Sequence, residues 1–163
     1  MMKKHFTGLT MLTIIAVSLM CDQPANAEDQ KKEPVRVAVK EFYSALNQMF
    51  TGELSSMKEV WSHKADVTFM GPNGSYQRGW KQVLAEWETQ AALKLGGKVE
   101  PVDIHITVGD ELAIVSNYEI GKNKGPEGQI QKVKIRATSL FRKENGKWKM
   151  IGHHTDLLPF LVK

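Results

Sequence analysis

Asn145-Gly146 constrains this chain more than any other two residues in it. It is the dipeptide best suited to a tight type I′ turn. The flanking runs RATSLFRKE and KWKMIGHHTD alternate in character as the two strands of a hairpin should. A tight turn there pairs Glu144 with Lys147, and the pairing continues as Phe141 with Met150, Ser139 with Gly152 and Ala137 with His154. One face then carries Ala137, Ser139, Phe141, Met150, His154 and Asp156. The opposite face carries Arg136, Thr138, Leu140, Arg142, Ile151 and His153. The first face is apolar near the turn and small and polar at its far end. Such a face describes a core that opens into a pocket.

The chain has 163 residues, and its start reads as a secretory leader rather than as fold. Lys3 and Lys4 precede a largely apolar run over 6–20, and Ala25-Asn26-Ala27 supplies the small-residue cleavage pattern. The run is short for a membrane span, which needs about 20 residues. Cys21 is poorly placed for lipidation, since Ser18, Leu19 and Met20 fit a lipobox badly. The expected organisation is a signal peptide over 1–27 and one domain over 28–163, placed in the periplasm or outside the cell. Removing 27 residues leaves 136, enough for a single core. The only cysteine leaves with the leader, so the domain has no disulfide to rely on. Loss of Lys3, Lys4 and Asp22 lowers the formal net charge from +4 to +3. With Lys and Arg scattered, that charge argues against nucleic acid. Neither does the mature domain call for a membrane.

Residues 28–33 are polar and charged and read as a mobile segment. Pro34 opens a helix in which Val35, Val39, Phe42, Leu46 and Met49 recur at helical spacing, and Gly52 ends it. Leu54, Met57 and Trp61 suggest a second, shorter helix. Residues 65–70 alternate as a short strand with Val67 and Phe69 on one side, and Gly71-Pro72-Asn73-Gly74 turns it. A third helix follows over 79–94, with Trp80, Leu84, Trp87 and Ala91 as its buried stripe. The rest is strand. Val102, Ile104, Ile106 and Val108 alternate with polar residues, and Leu112, Ile114, Ser116, Tyr118 and Ile120 form the next inward set. Helices at one end of the chain and long antiparallel strands at the other predict an α+β fold, with about three helices covering one face of a curved sheet. Three helices do not fill that face completely. A cone-shaped cavity between the layers is the natural ligand site.

His154 and Asp156 are two apart on a strand, hence on one face and roughly 6–7 Å apart. A carboxylate beside an imidazole raises its basicity and orients it, the arrangement of a general base. Tyr118 joins them on the expected inner face as a hydrogen-bond donor to a ligand oxygen. Trp61, Phe69 and Ser116 are the candidate ligand-binding residues, with Arg136 as a clamp for a carboxylate or phosphate. Against these stand plainer roles: Trp61 and Tyr118 in the core, Arg136 in an ion pair with Glu119, Asp66 as a surface carboxylate. His153 and His154 point to opposite faces and cannot grip one ion, so neither a metal nor a cofactor is expected.

Arg136-x-Thr138 followed by Phe141-Arg142, then Gly146-x-Trp148 and His154, resembles the nuclear transport factor 2-like superfamily in its bacterial SnoaL-like branch. The stretch from Trp61 to Phe69, with Gly71 and Arg78-Gly79 after it, is similar as well, and the likeness spans 35–161. The resemblance implies a cone-shaped α+β barrel, commonly dimeric through its sheet. The superfamily includes isomerases, dehydratases and cyclases beside non-catalytic transport and assembly domains. The reading expected first is an exported domain that binds a small, partly apolar molecule and forms a homodimer. The alternatives are an isomerase, dehydratase or cyclase using His154 and Asp156 as acid and base, and an assembly protein working through Leu140 and Ile151 on its outer sheet face.

Overall fold

A computed structural model describes residues 27–125 and 127–157. The expected signal segment, apart from Ala27, lies outside the described residues. Helix α1 (Ala27–Met49) and the short α2 (Ser55–Val60) come first, followed by strands β1 (Thr68–Met70) and β2 (Tyr76–Arg78) and helix α3 (Trp80–Ala92). Four long strands complete the order: β3 (Lys98–Val108), β4 (Leu112–Lys124), β5 (Ile130–Glu144) and β6 (Lys147–Asp156).

Residues 28–33 are helical, where the composition predicted a mobile segment. They extend α1 by ion pairs at helical spacing, Lys32 to Glu28 at 2.5 Å and Arg36 to Glu33 at 3.2 Å and to Asp29 at 3.0 Å. Pro34 sits inside the helix rather than at its start. From there Val35, Val39, Phe42, Leu46 and Met49 form the buried stripe, with Ala38, Tyr43 and Ala45 beside it.

The six strands form one sheet in the order β2-β1-β6-β5-β4-β3. It is α+β as expected, but the sheet is mixed and open: β1 runs parallel to β6, and β2 and β3 are free edges. The helices pack on one face, with α1 crossing β3 and β6 and α3 reaching β1 and β2. Between them lies the core, built on Trp61, Trp87, Phe42, Phe141, Met57 and Met150.

Asn145 and Gly146 turn with φ of +50° and +79°, the left-handed pair that a type I′ turn requires. Glu144 faces Lys147 and Phe141 faces Met150, as the sequence dictates. Beyond Met150 the register slips. Gly152 pairs with Leu140, His153 with Ser139 and Thr155 with Ala137, so Ile151 is an extra residue in β6. Such a bulge rotates everything past it to the opposite face. Buried positions therefore run Met150, then His153 and Thr155, in place of His154 and Asp156.

A second correction falls on β4. Its buried residues are Ala113, Val115, Asn117 and Glu119, while Leu112, Ile114, Tyr118 and Ile120 are 40–56% exposed on the outer face. The expected inward set, Leu112, Ile114, Ser116, Tyr118 and Ile120, faces out instead; the pairing Ala113 with Phe141 and Val115 with Ser139 puts the smaller side chains under the helices. β3 carries a bulge of its own between Val102 and His105, with Asp103 at φ +56°, so Val99 and Ile106 are both buried although seven residues apart.

Gly121 permits the close contact of β4 with β3. A Cβ there would lie 2.0 Å from the Lys98 carbonyl oxygen and 2.7 Å from the Val99 Cα, both backbone atoms. Gly121→Ala is expected to destabilise the domain by about 1–3 kcal/mol through forced backbone displacement; chemical denaturation measures it, and an unchanged midpoint would refute this packing.

Candidate functional site

The helices leave part of the inner sheet face unfilled. A cavity of about 210 Å³ lies between α1, α3 and the inner face of the sheet. Its apolar wall includes Leu46, Phe50, Phe69, Trp87, Val99 and Val133, and its polar wall is Glu119, Asn123, His153 and Thr155. Pro72, Gln90, Leu95 and Gln131 stand at the partly exposed rim. Each polar residue reaches the cavity for a local reason. Glu119 and Asn123 are four apart on β4 and so share its inner face, whereas His153 and Thr155 are turned inward by the Ile151 bulge.

At the inner end the polar groups are bonded to one another. Asn117 Nδ2 donates to the Tyr43 hydroxyl at 2.8 Å, and that hydroxyl donates to Glu119 Oε1 at 3.1 Å. His153 Nε2 lies 3.3 Å from the same Oε1, and His153 Nδ1 lies 3.0 Å from Ser139 Oγ. Nε2 faces the carboxylate and Nδ1 the serine hydroxyl, with donor and acceptor roles at Nδ1 set by the tautomer. Phe42 and Phe69 flank the imidazole, with ring centroids 4.7 and 6.1 Å away. Burial, reinforced by the charge of Glu119, pushes the Tyr43 phenol far above its usual range, which keeps it a neutral donor.

Three residues of the wall keep a polar atom without a partner among the described residues. Trp87 Nε1 is one, and Glu119 Oε2 is another, since Tyr43 donates to Oε1. The Asn123 side chain also has none, although the residue is only 8% exposed and its Oδ1 is fully enclosed. A carboxylate anchored through one oxygen and open at the other can accept a hydrogen bond or a proton from a bound molecule.

The residues singled out in the sequence are distributed differently. Phe69 is in the cavity wall. Trp61 is not: it is buried against Trp87 at 6.1 Å and bridges to Met150, a core position. Ser116, Tyr118, Arg136 and Asp156 do come together, but in a shallow depression on the outer sheet face. There Arg136 pairs with Asp156 at 3.0 Å and not with Glu119. His154 is half-buried at the edge of the same face, its Nε2 3.1 Å from Thr68 Oγ1, and burial lowers its pKa. His154, Asp156 and Tyr118 therefore do not form a site inside the cavity. The sequence reading missed Tyr43, Glu119, Asn123 and His153. The available signal was polar residues at every second place in a strand, Asn117, Glu119 and Asn123, which marks an inner polar face as readily as an outer one.

Asp66 is held in a two-pronged pair by Arg142, at 2.6 and 3.1 Å, which lowers its pKa. Arg142 also bonds Glu144, where burial opposes ionisation yet Arg142, Ser62 and Lys64 together keep the carboxyl below its usual range. This cluster fastens the segment before β1 to the hairpin and stands apart from the cavity. Among the described residues no three His, Cys, Asp or Glu side chains are placed to hold a metal ion. Nor is any described helix long and apolar enough to cross a membrane.

The family model of the SnoaL-like domain matches residues 35–157. The chain belongs to the SnoaL-like family. Solved structures place that SnoaL-like domain within the broader NTF2-like fold. An NTF2-like superfamily protein from Salmonella enterica superposes with a TM-score of 0.70 at 16% identity, covering 84% of this chain and 99% of that one. A candidate dehydratase of the NTF2-like family from Streptomyces avermitilis gives 0.71 at 23% identity, covering 80% and 98%. A candidate ketosteroid isomerase from Shewanella frigidimarina gives 0.63 at 19%, covering 76% and 94%. At such identities the likeness establishes the fold alone. Comparison with curated proteins finds no match.

Tyr43→Phe removes the donor that fixes Glu119 and the acceptor for Asn117. The substitution is expected to cost about 1–3 kcal/mol, the penalty of buried polar groups left unpaired. A denaturation midpoint equal to wild type would show that this bond contributes nothing.

Proposed function

We propose that this SnoaL-like domain is an exported protein that binds a small, partly apolar molecule in the cavity between helices and sheet. One observation carries the reading. The cavity is apolar on one wall and ends at a buried Glu119 whose Oε2 has no partner among the described residues. Binding pockets for small molecules have this character, mostly apolar with a few placed polar groups. At about 210 Å³ the space is smaller than the roughly 300–1,000 Å³ of sites for drug-sized ligands. Export rests on Lys3, Lys4, the apolar run after them and the Ala25-Asn26-Ala27 pattern.

A second reading is favoured by the same carboxylate. Glu119, backed by His153 and Tyr43, has the arrangement of a general base for proton transfer next to a carbonyl. One experiment separates the two. Cyclohexanone is expected to give saturation-transfer NMR signals with wild type and none with Val133→Trp, which fills the cavity wall. Loss of the binding reading would be marked by equal signals in both. Deuterium exchange at the ketone's α-carbon, faster than in buffer and abolished by Glu119→Gln, would establish the enzyme reading; exchange at the buffer rate leaves binding alone.

The outer sheet face supports a homodimer. Leu112, Ile114, Tyr118 and Ile120 form an exposed apolar stripe along β4, with Val102 and Ile104 beside it on β3. Apolar surface of that extent on a sheet is suited to a second copy. Sedimentation should give twice the monomer mass for the 28–163 domain and the monomer mass for Ile114→Lys. A monomeric wild type removes the proposal.

A further inference from the structure

The geometry points to a charge selection inside this cavity: Glu119 and Asn123 together admit neutral or cationic ligands bearing an O–H or N–H donor and reject anions. The inference rests on the binding reading above and goes further by naming the ligand class. Its first support is the composition of the wall. Among the described residues that line it, Glu119 and His153 are the only acidic or basic side chains, they lie 3.3 Å apart, and no lysine or arginine is present. A carboxylate or phosphate brought into the cavity would give up its water and meet no free cation. It would also lie beside a carboxyl oxygen, Glu119 Oε2, that is an acceptor already.

The second support is independent of the first. Asn123 is buried, at 8% exposure, with a side chain that makes no hydrogen bond among the described residues. Buried amides are seldom left without a partner, because each unmade bond costs about 1–3 kcal/mol. On β4 it is four residues from Glu119, hence on the same face at roughly 13 Å between Cα atoms. Asn123 Oδ1 is enclosed, so its Nδ2 is the atom within a ligand's reach. A ligand with an apolar body, a donor at the inner end for Glu119 Oε2 and a hydroxyl or carbonyl oxygen at the outer end for Asn123 Nδ2 uses both. A cavity near 150 Å³ takes a benzene ring, so about 210 Å³ takes one ring with short substituents.

Toluene, benzyl alcohol, benzylamine, benzoate and 4-hydroxybenzyl alcohol form a series of matched size, and calorimetry or ligand-observed NMR on the 28–163 domain gives their affinities. In wild type, benzyl alcohol and benzylamine are expected to bind at least tenfold tighter than benzoate. Glu119→Gln keeps the shape and removes the charge; it should bring benzoate within about threefold of benzyl alcohol and weaken benzylamine at least fivefold. Asn123→Leu should weaken 4-hydroxybenzyl alcohol about tenfold and leave toluene unchanged. Benzoate binding as tightly as benzyl alcohol to wild type would overturn the selection while toluene binding preserves the cavity. An unaltered ranking in Glu119→Gln would do the same, and equal losses for both ligands in Asn123→Leu would remove the Asn123 contact. Failure of every probe, toluene included, would remove the binding reading and this inference together. The wild-type ranking requires no variant, so a substitution that fails to fold leaves the test intact.

Discussion

The site depends on one extra residue in β6. Between Met150 and Gly152 the strand holds Ile151 without a partner across the hairpin, and everything downstream rotates by one position. Met150 can thereby pack in the core beside Trp61 while His153, not His154, enters the cavity. Gly152 sits at the pivot, where a Cβ would meet Leu140 Cδ1 at 2.6 Å. Without the bulge the imidazole opposite Glu119 would be on the other side of the sheet.

What surrounds that imidazole explains its tolerance in an apolar interior. A buried polar group is costly unless its bonding capacity is met. His153 meets Ser139 through one nitrogen and Glu119 through the other, with Phe42 and Phe69 against its faces. Glu119 gains a second donor from Tyr43, which is in turn held by Asn117. Four elements in two layers contribute: α1 from the helices and β4, β5 and β6 from the sheet. The network thus joins helix to sheet at the point where the core stops and the cavity begins. Among the described residues that border the cavity, Oε2 of Glu119, the amide of Asn123 and Nε1 of Trp87 are where internal bonding ends.

Much of the architecture was legible. The type I′ turn at Asn145-Gly146, the buried stripe of α1 and the inward pair Val67 and Phe69 all follow from local chemistry and period. β4 was misread because its outer face carries the bulkier apolar residues, Leu112, Ile114 and Ile120, while its inner face carries Ala113, Val115, Asn117 and Glu119. Period two identifies two faces but not which one the helices cover. The inner face is polar where it borders a cavity, and hydropathy alone ranks it as the outside.

By itself the sequence determined the order of helices and strands, the hairpin turn and its first pairs, and membership in the SnoaL-like family with its α+β fold. Those properties are set by neighbours in the chain: left-handed φ at a turn, apolar residues at helical or alternating spacing. Only the tertiary structure decided that Glu119, His153 and Tyr43 meet. Their contact requires a bulge at Ile151 and the docking of α1 on β4, and no local pattern encodes either. The residues drawn together by spacing, His154 and Asp156, stayed adjacent but faced outward, because a single unpaired residue reverses the sense of a strand.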